Sequence, residues 1–216
     1  MANPHKKCHA LSACVARDTS RPSPKGEVMR VDTLSEAMVY SVLYADPPWE
    51  YRDRQHSGKR GKETGGAKKH YSTMSRADLQ ALNVSKICSK DAILFLWTSS
   101  PCLGQSIALI EAWGFVYKTV AFVWDKQRVN PGSYTMSQCE LCLVATRKGG
   151  KIPQPRGARN IRQFISEMRR EHSQKPTQVR DRIARMFPHQ NKIELFARDH
   201  VNGWDVWGNE APHCPE

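Results

Sequence analysis

The sequence predicts an α/β domain built on an open, largely parallel sheet. Strand-like apolar runs recur at residues 39–45, 92–97, 115–124, 139–146 and 192–198. Segments with helical apolar spacing lie between several of them, and glycine or proline marks many of the junctions. Strands that alternate with helices in this way favour parallel pairing, with helices covering both faces.

Residues 39–45, rich in β-branched and aromatic side chains, read as the first buried strand. It stops at Asp46-Pro47-Pro48-Trp49, because consecutive prolines cannot donate to a ladder and hold φ near −65°. Residues 50–70 form a glycine-rich, basic loop. A helix is expected after Ser75, with Asp78 in its first turn and Leu79, Leu82 and Ile87 apolar. Residues 92–97 form a second strand, residues 101–113 a helix closed by Gly114, and residues 115–124 a third strand. Residues 125–137 read as a polar loop and 139–146 as a fourth strand. Residues 148–159 return to loop. Arg162, Arg169 and Arg170 fall on a possible helix that is either a nucleic-acid face or an ordinary charged surface. Residues 177–187 read as a helix capped by Thr177, and 192–198 as a fifth strand. Trp204 and Trp207 are expected to be packing residues.

Residues 1–35 have no sustained period and contain Arg21-Pro22-Ser23-Pro24-Lys25-Gly26. They are expected to be a mostly disordered leader, with residues 36–216 forming one domain. Lys and Arg total 33 against 21 for Asp and Glu, a net +12 that favours a polyanionic partner. No apolar run approaches the ~20 residues of a membrane span, and the N-terminus is a poor secretion signal. Seven scattered cysteines suit reduced thiols in a cytoplasmic compartment. Cys139 and Cys142 are spaced to face opposite sides of a strand and no second pair answers them, so no metal is expected.

Chemistry is expected at Asp46-Pro47-Pro48-Trp49, since ligands of such sheets sit beyond the strands' carboxyl ends. Taken alone, these four residues are equally a capped turn with a packed tryptophan. Their functional reading concerns an exocyclic aromatic amine, whose lone pair is delocalised into its ring. A carboxylate and a rigid carbonyl accepting its two N–H bonds favour a tetrahedral nitrogen and stabilise the charge that develops on attack. A tryptophan face can stack on a base taken out of its helix.

Tyr44-Ala45-Asp46-Pro47-Pro48-Trp49 resembles the catalytic segment of the adenine N6-methyltransferase family that includes the catalytic subunit of the eukaryotic messenger-RNA enzyme and many bacterial and phage DNA enzymes. Further similar blocks follow in the family's order: Tyr71-Ser72-Thr73-Met74, Leu94-Phe95-Leu96-Trp97, Glu140-Leu141-Cys142-Leu143-Val144, Ser173-Gln174-Lys175-Pro176, Ile193-Glu194-Leu195-Phe196-Ala197-Arg198 and Trp207-Gly208-Asn209-Glu210.

The resemblance implies a Rossmann-like, S-adenosylmethionine-dependent methyltransferase with permuted motif order, in which the catalytic strand comes first and the cofactor strand last. It implies that Asp46, Pro47, Pro48 and Trp49 are catalytic. Asp46, Lys175, Arg198, His200, Asn209 and Glu210 would bind the cofactor, and Trp49, Tyr71 and Glu140 the adenine. Gln174 stands where the RNA enzyme has histidine, Asp199 and Val201 replace a proline–asparagine context around His200, and the segment between Trp49 and Tyr71 is longer and basic. The expected substrate is DNA, because the chain reads as a compact domain without the accessory zinc-finger region of the RNA subunit and its blocks look closer to phage members. RNA is the alternative substrate, and a catalytically silent nucleic-acid-binding scaffold the alternative class.

Overall fold

The computed structural model describes residues 34, 38–50, 73–132, 134–170 and 174–208. In chain order these form β1 (Tyr40–Ala45), α1 (Arg76–Ala81), β2 (Cys88–Ser99), α2 (Leu103–Ala112), β3 (Phe115–Asn130), β4 (Ser137–Arg147), β5 (Phe164–Ser166), α3 (Thr177–Met186), β6 (Lys192–Leu195) and β7 (Asp205–Trp207). Single 3-10 turns, Val84–Ile87 and Ser100–Cys102, precede β2 and α2. The seven strands make one sheet in the order β5-β3-β4-β2-β1-β6-β7. Only β4 runs against the others, pairing antiparallel with both β2 and β3. The sheet is mixed and mostly parallel and is flanked by helices, consistent with the Rossmann-like fold that the resemblance implies.

Alternation along β1 divides the core. Leu43 and Ala45 join Leu94, Leu96, Ile193, Leu109 and Trp113 on the face covered by α1 and α2. Val42 and Tyr44 point the other way, to Phe95, Trp97, Phe122, Val179 and Ile183 beneath α3. Both faces of β1 are therefore dry, which is why its sequence reads as a continuous apolar run rather than an alternating one. Trp113 ties the two helices of the first face together, its indole N–H donating to the Leu79 carbonyl at 2.9 Å. Ser75 caps α1 through the Asp78 amide, and Gly114 closes the α2 segment at φ 81°, a left-handed conformation that suits glycine. Trp204 is buried and Trp207 packs edge-on against Phe196, in keeping with their expected packing roles.

Four expectations are corrected. The polar loop at 125–137 is mostly strand: β3 runs on to Asn130 and β4 begins at Ser137. Its side chains looked like a loop because the hairpin extends past the core, where no apolar face is needed. The N-cap of α3 is Pro176, extended at φ −58° and ψ 127°, with no side-chain cap bond, so Thr177 is the first helical residue. The last long strand stops at Leu195, because Phe196 turns to φ 62° and leaves the ladder. Arg162, Arg169 and Arg170 lie on no helix; that stretch is extended and includes β5. Of the expected leader only Leu34 is described, buried against the α1–α2 face. Of the basic loop expected at 50–70 only Glu50 is described; the rest of it, with Tyr71, lies outside the described residues.

Candidate active site

Residues that follow parallel strands collect at one edge of the sheet. Asp46 follows β1, and Phe196, Arg198 and Asp199 follow the neighbouring β6. The reversed strand serves the same edge from its beginning: Glu140, near the start of β4, pairs with Ser99 at the end of β2 and with Trp124 in β3.

The loop after β1 is tied along its length. The Asp46 amide donates to the Leu195 carbonyl at 3.5 Å, the Trp49 amide to the Pro47 carbonyl at 2.8 Å, and the Met74 amide to the Pro48 carbonyl at 3.0 Å. The Trp49 indole N–H donates to the Trp97 carbonyl at 3.3 Å, and only 6% of Trp49 is exposed. Two proline rings fix φ within this frame. Trp49 is thus an anchor in the core, with most of its ring already covered.

Four charged side chains alternate in sign across this edge. Lys126 Nζ lies 3.2 Å from Glu140 Oε1, and Lys175 Nζ lies 3.4 Å from Glu140 Oε2 and 2.8 Å from Asp46 Oδ2. Lys175 enters from the loop before α3 and stands 5.6 Å over the centre of the Trp97 ring, a cation–π contact. Burial pushes the Asp46 carboxyl above the usual carboxylate range, and Lys175 offsets only part of this. Burial pushes Glu140 up as well, but two ammonium groups outweigh it and hold Glu140 below its ordinary value. One carboxylate has one close cation and the other has two, so their affinities for a proton are driven apart.

Beneath Asp46 the support is hydrogen-bonded. The Trp97 indole N–H donates to the Tyr44 hydroxyl at 2.6 Å. Burial, reinforced by the charge of Glu194, keeps that hydroxyl un-ionised. Glu194 is paired in turn with Arg180 at 2.7 Å, both residues being buried. Tyr44, Asp46, Lys175, Glu194, Phe196 and Arg198 line one cleft, with Gln174 holding Asp199 at 3.1 Å on its rim.

Of the residues singled out in the sequence, Asp46, Glu140, Lys175 and Arg198 come together here, and the positive charge of Arg198 is felt at Asp46. Pro47 and Pro48 frame Asp46, and His200 lies part-buried two residues beyond Arg198. Asn209 and Glu210 fall outside the described residues. Sequence reasoning missed Lys126 and the Arg180–Glu194 pair. A glutamate inside the apolar run Ile193-Glu194-Leu195 was the available signal for the pair, since a charge on a buried strand requires a partner. Lys126 sat in an expected loop and gave none. Cys139 is exposed and Cys142 buried, and among the described residues no cluster of His, Cys, Asp or Glu could hold a metal ion.

The MT-A70 family model matches residues 40–210, the span from β1 to just past β7. The type II methyltransferase M.MunI of Mycoplasma sp is 50% identical over 184 residues, covering 80% of this chain and 78% of that protein. An N(6)-adenosine-methyltransferase MT-A70-like protein of Arabidopsis thaliana is 30% identical over 194 residues, 84% of this chain and 24% of the relative. The human N(6)-adenosine-methyltransferase catalytic subunit METTL3 is 26% identical over 181 residues, 79% of this chain and 28% of its own length. The chain spans about a quarter of these eukaryotic relatives and most of the mycoplasmal one. On the match across its whole sheet, the chain belongs to the MT-A70 family of methyltransferases.

Proposed function

We propose that this protein transfers a methyl group from S-adenosylmethionine to N6 of adenine in DNA. The observation that carries the reading is Asp46, a part-buried carboxylate on a proline-stiffened loop, ion-paired to Lys175 at the mouth of a cleft between the ends of β1 and β6. The donor set of that cleft suits an amino acid joined to a nucleoside. Lys175 and Arg198 are cations for a carboxylate, Asp199 and Asp46 are acceptors for an ammonium group, and Phe196 is an apolar wall. His200, Asn209 and Glu210 would complete the set, the last two at a ribose diol.

When bound, S-adenosylmethionine supplies a methyl group on a positively charged sulfur. The protein's part is to hold the amine. With Asp46 Oδ2 held by Lys175, Oδ1 accepts one N–H of the adenine amine. The Pro47 carbonyl accepts the other with its second lone pair, the first being taken by the Trp49 amide. The two acceptors draw the nitrogen toward tetrahedral geometry, and their fixed positions leave little reorganisation for the transition state. Because burial raises its proton affinity, Asp46 is also the group placed to take the N6 proton as positive charge develops there.

The choice of N6 rests on the adenosine methyltransferases among the relatives. The choice of DNA rests on the higher identity to the type II methyltransferase, 50% against 30% and below. The reading agrees with the net charge of +12 and with a cytoplasmic protein; among the described residues no helix is long and apolar enough to cross a membrane. The test is incubation of the purified protein with S-adenosylmethionine and either duplex DNA or matched RNA, followed by nucleoside mass spectrometry. N6-methyldeoxyadenosine is expected. N6-methyladenosine alone would move the substrate to RNA, and absence of both products would favour a silent binding scaffold.

A further inference from the structure

We infer that Lys126 is a positioning residue for the transfer reaction, holding the Glu140–Lys175–Asp46 chain in charge balance so that Asp46 reaches neutral pH ionised. The inference rests on the proposed methyl transfer.

The backbone is shaped to deliver this lysine. Between β3 and β4 the register steps from Asp125↔Cys139 to Asn130↔Ser137, five residues on one strand against two on the other. Such a bulge re-aims a side chain that a regular ladder would direct elsewhere. It is pinned by Asp125, whose carboxylate accepts from the Gln127 amide at 2.9 Å, from Gln138 Nε2 at 2.6 Å and from Ser166 Oγ at 2.9 Å. Gln127 takes the left-handed φ of 52°, strain that an L-residue bears only when its surroundings fix it. The Gln127 side chain also donates to Ser166, tying the bulge to β5. The result is a lysine 6% exposed with its ammonium on Glu140, whereas a lysine in an ordinary hairpin extends into water.

The effect reaches Asp46 through charge. Facing one another are Lys126 from β3, Glu140 from β4, Lys175 from the loop before α3 and Asp46 from the loop after β1, with Arg198 after β6, Glu194 in β6, Tyr44 in β1 and Cys142 in β4 also interacting with Asp46. The four alternating groups sum to zero. Without Lys126 two carboxylates share Lys175, the chain carries −1, and its first proton binds more readily. Activity that needs ionised Asp46 is then lost at higher pH.

The experiment is the pH–rate profile of methyl transfer for the full chain with S-adenosylmethionine and duplex DNA. Lys126→Met replaces the buried cation with an apolar chain of similar length. It is expected to move the acid limb of kcat upward by about half a pH unit, less than a cation in direct contact with Asp46 would give, because Lys126 acts on Asp46 only through Glu140 and Lys175. Lys126→Arg is expected to keep the wild-type limb. The double variant Lys126→Met, Glu140→Gln restores a neutral chain and should return the limb toward wild type, although it departs further from the native packing. A limb that stays in place in active Lys126→Met, or that shifts equally in the double variant, overturns the inference. If Lys126→Met does not fold, Lys126→Gln takes its place: the same upward shift is expected, and an unmoved limb overturns the inference. Failure of the wild type to methylate would instead overturn the underlying reaction.

Discussion

Lys175 Nζ lies 2.8 Å from Asp46 Oδ2, joining residues 129 apart in the sequence. The contact clamps the loop leaving β1 to the loop entering α3, on either side of the cleft. It also favours a negative charge that burial disfavours. The same ammonium reaches Glu140 at 3.4 Å, so one cation organises both carboxylates.

Those two carboxylates should respond oppositely to neutralisation. Asp46 binds its proton more tightly in the folded protein than in the unfolded chain, so its ionised form costs the fold stability once pH rises through the raised value. Asp46→Asn should therefore unfold at no lower urea concentration than wild type at pH 7. Glu140 is held below its ordinary 4.5; its contribution is present above that value and is lost as pH falls through the lowered one. Glu140→Gln should cost about 1–3 kcal/mol at pH 7 and progressively less in acid. Urea midpoints across pH check both signs.

Arg180 and Glu194 form a buried pair at 2.7 Å in the wall of the cleft. Arg180→Met strands a buried carboxylate and should cost about 3–5 kcal/mol, whereas Arg180→Met with Glu194→Met should recover much of that loss. A double-mutant cycle by chemical denaturation gives the coupling. A double-variant loss equal to the sum of the two single losses would show that the pair does not act as a unit.

Trp49 separates an anchoring role from a stacking one. At 6% exposure, Trp49→Ala should lose about 3–5 kcal/mol of stability. Trp49→Phe keeps a ring but removes the N–H bond to the Trp97 carbonyl, so it should stay folded, with kcat falling more than substrate affinity as the loop carrying Asp46 loosens. A loss confined to affinity would favour base stacking.

The sequence made the core strands and Asp46 visible for a plain reason: a strand buried on both faces is a continuous apolar run, and Pro47-Pro48 ends it abruptly. Glu140, Lys175 and Arg198 were visible only through family blocks, because each comes from a different element and no local spacing joins them. The three-residue strands β5 and β7 are too short to carry a period. Lys126 was hidden for a different reason. Its direction is set by a bulge whose hydrogen bonds come from Gln138 and Ser166, distant in the chain, and polar residues at 125–130 give the pattern of a loop whether or not they pair.

The central claim is that the Asp46 carboxylate makes the adenine amine reactive while playing a lesser part in holding the methyl donor. Asp46→Asn, nearly the same in shape, tests it when donor binding by calorimetry and single-turnover transfer to duplex DNA are measured on the same preparation. Donor affinity near that of wild type with transfer reduced by about 10²–10³-fold is the predicted result. Transfer at the wild-type rate by Asp46→Asn would contradict the claim.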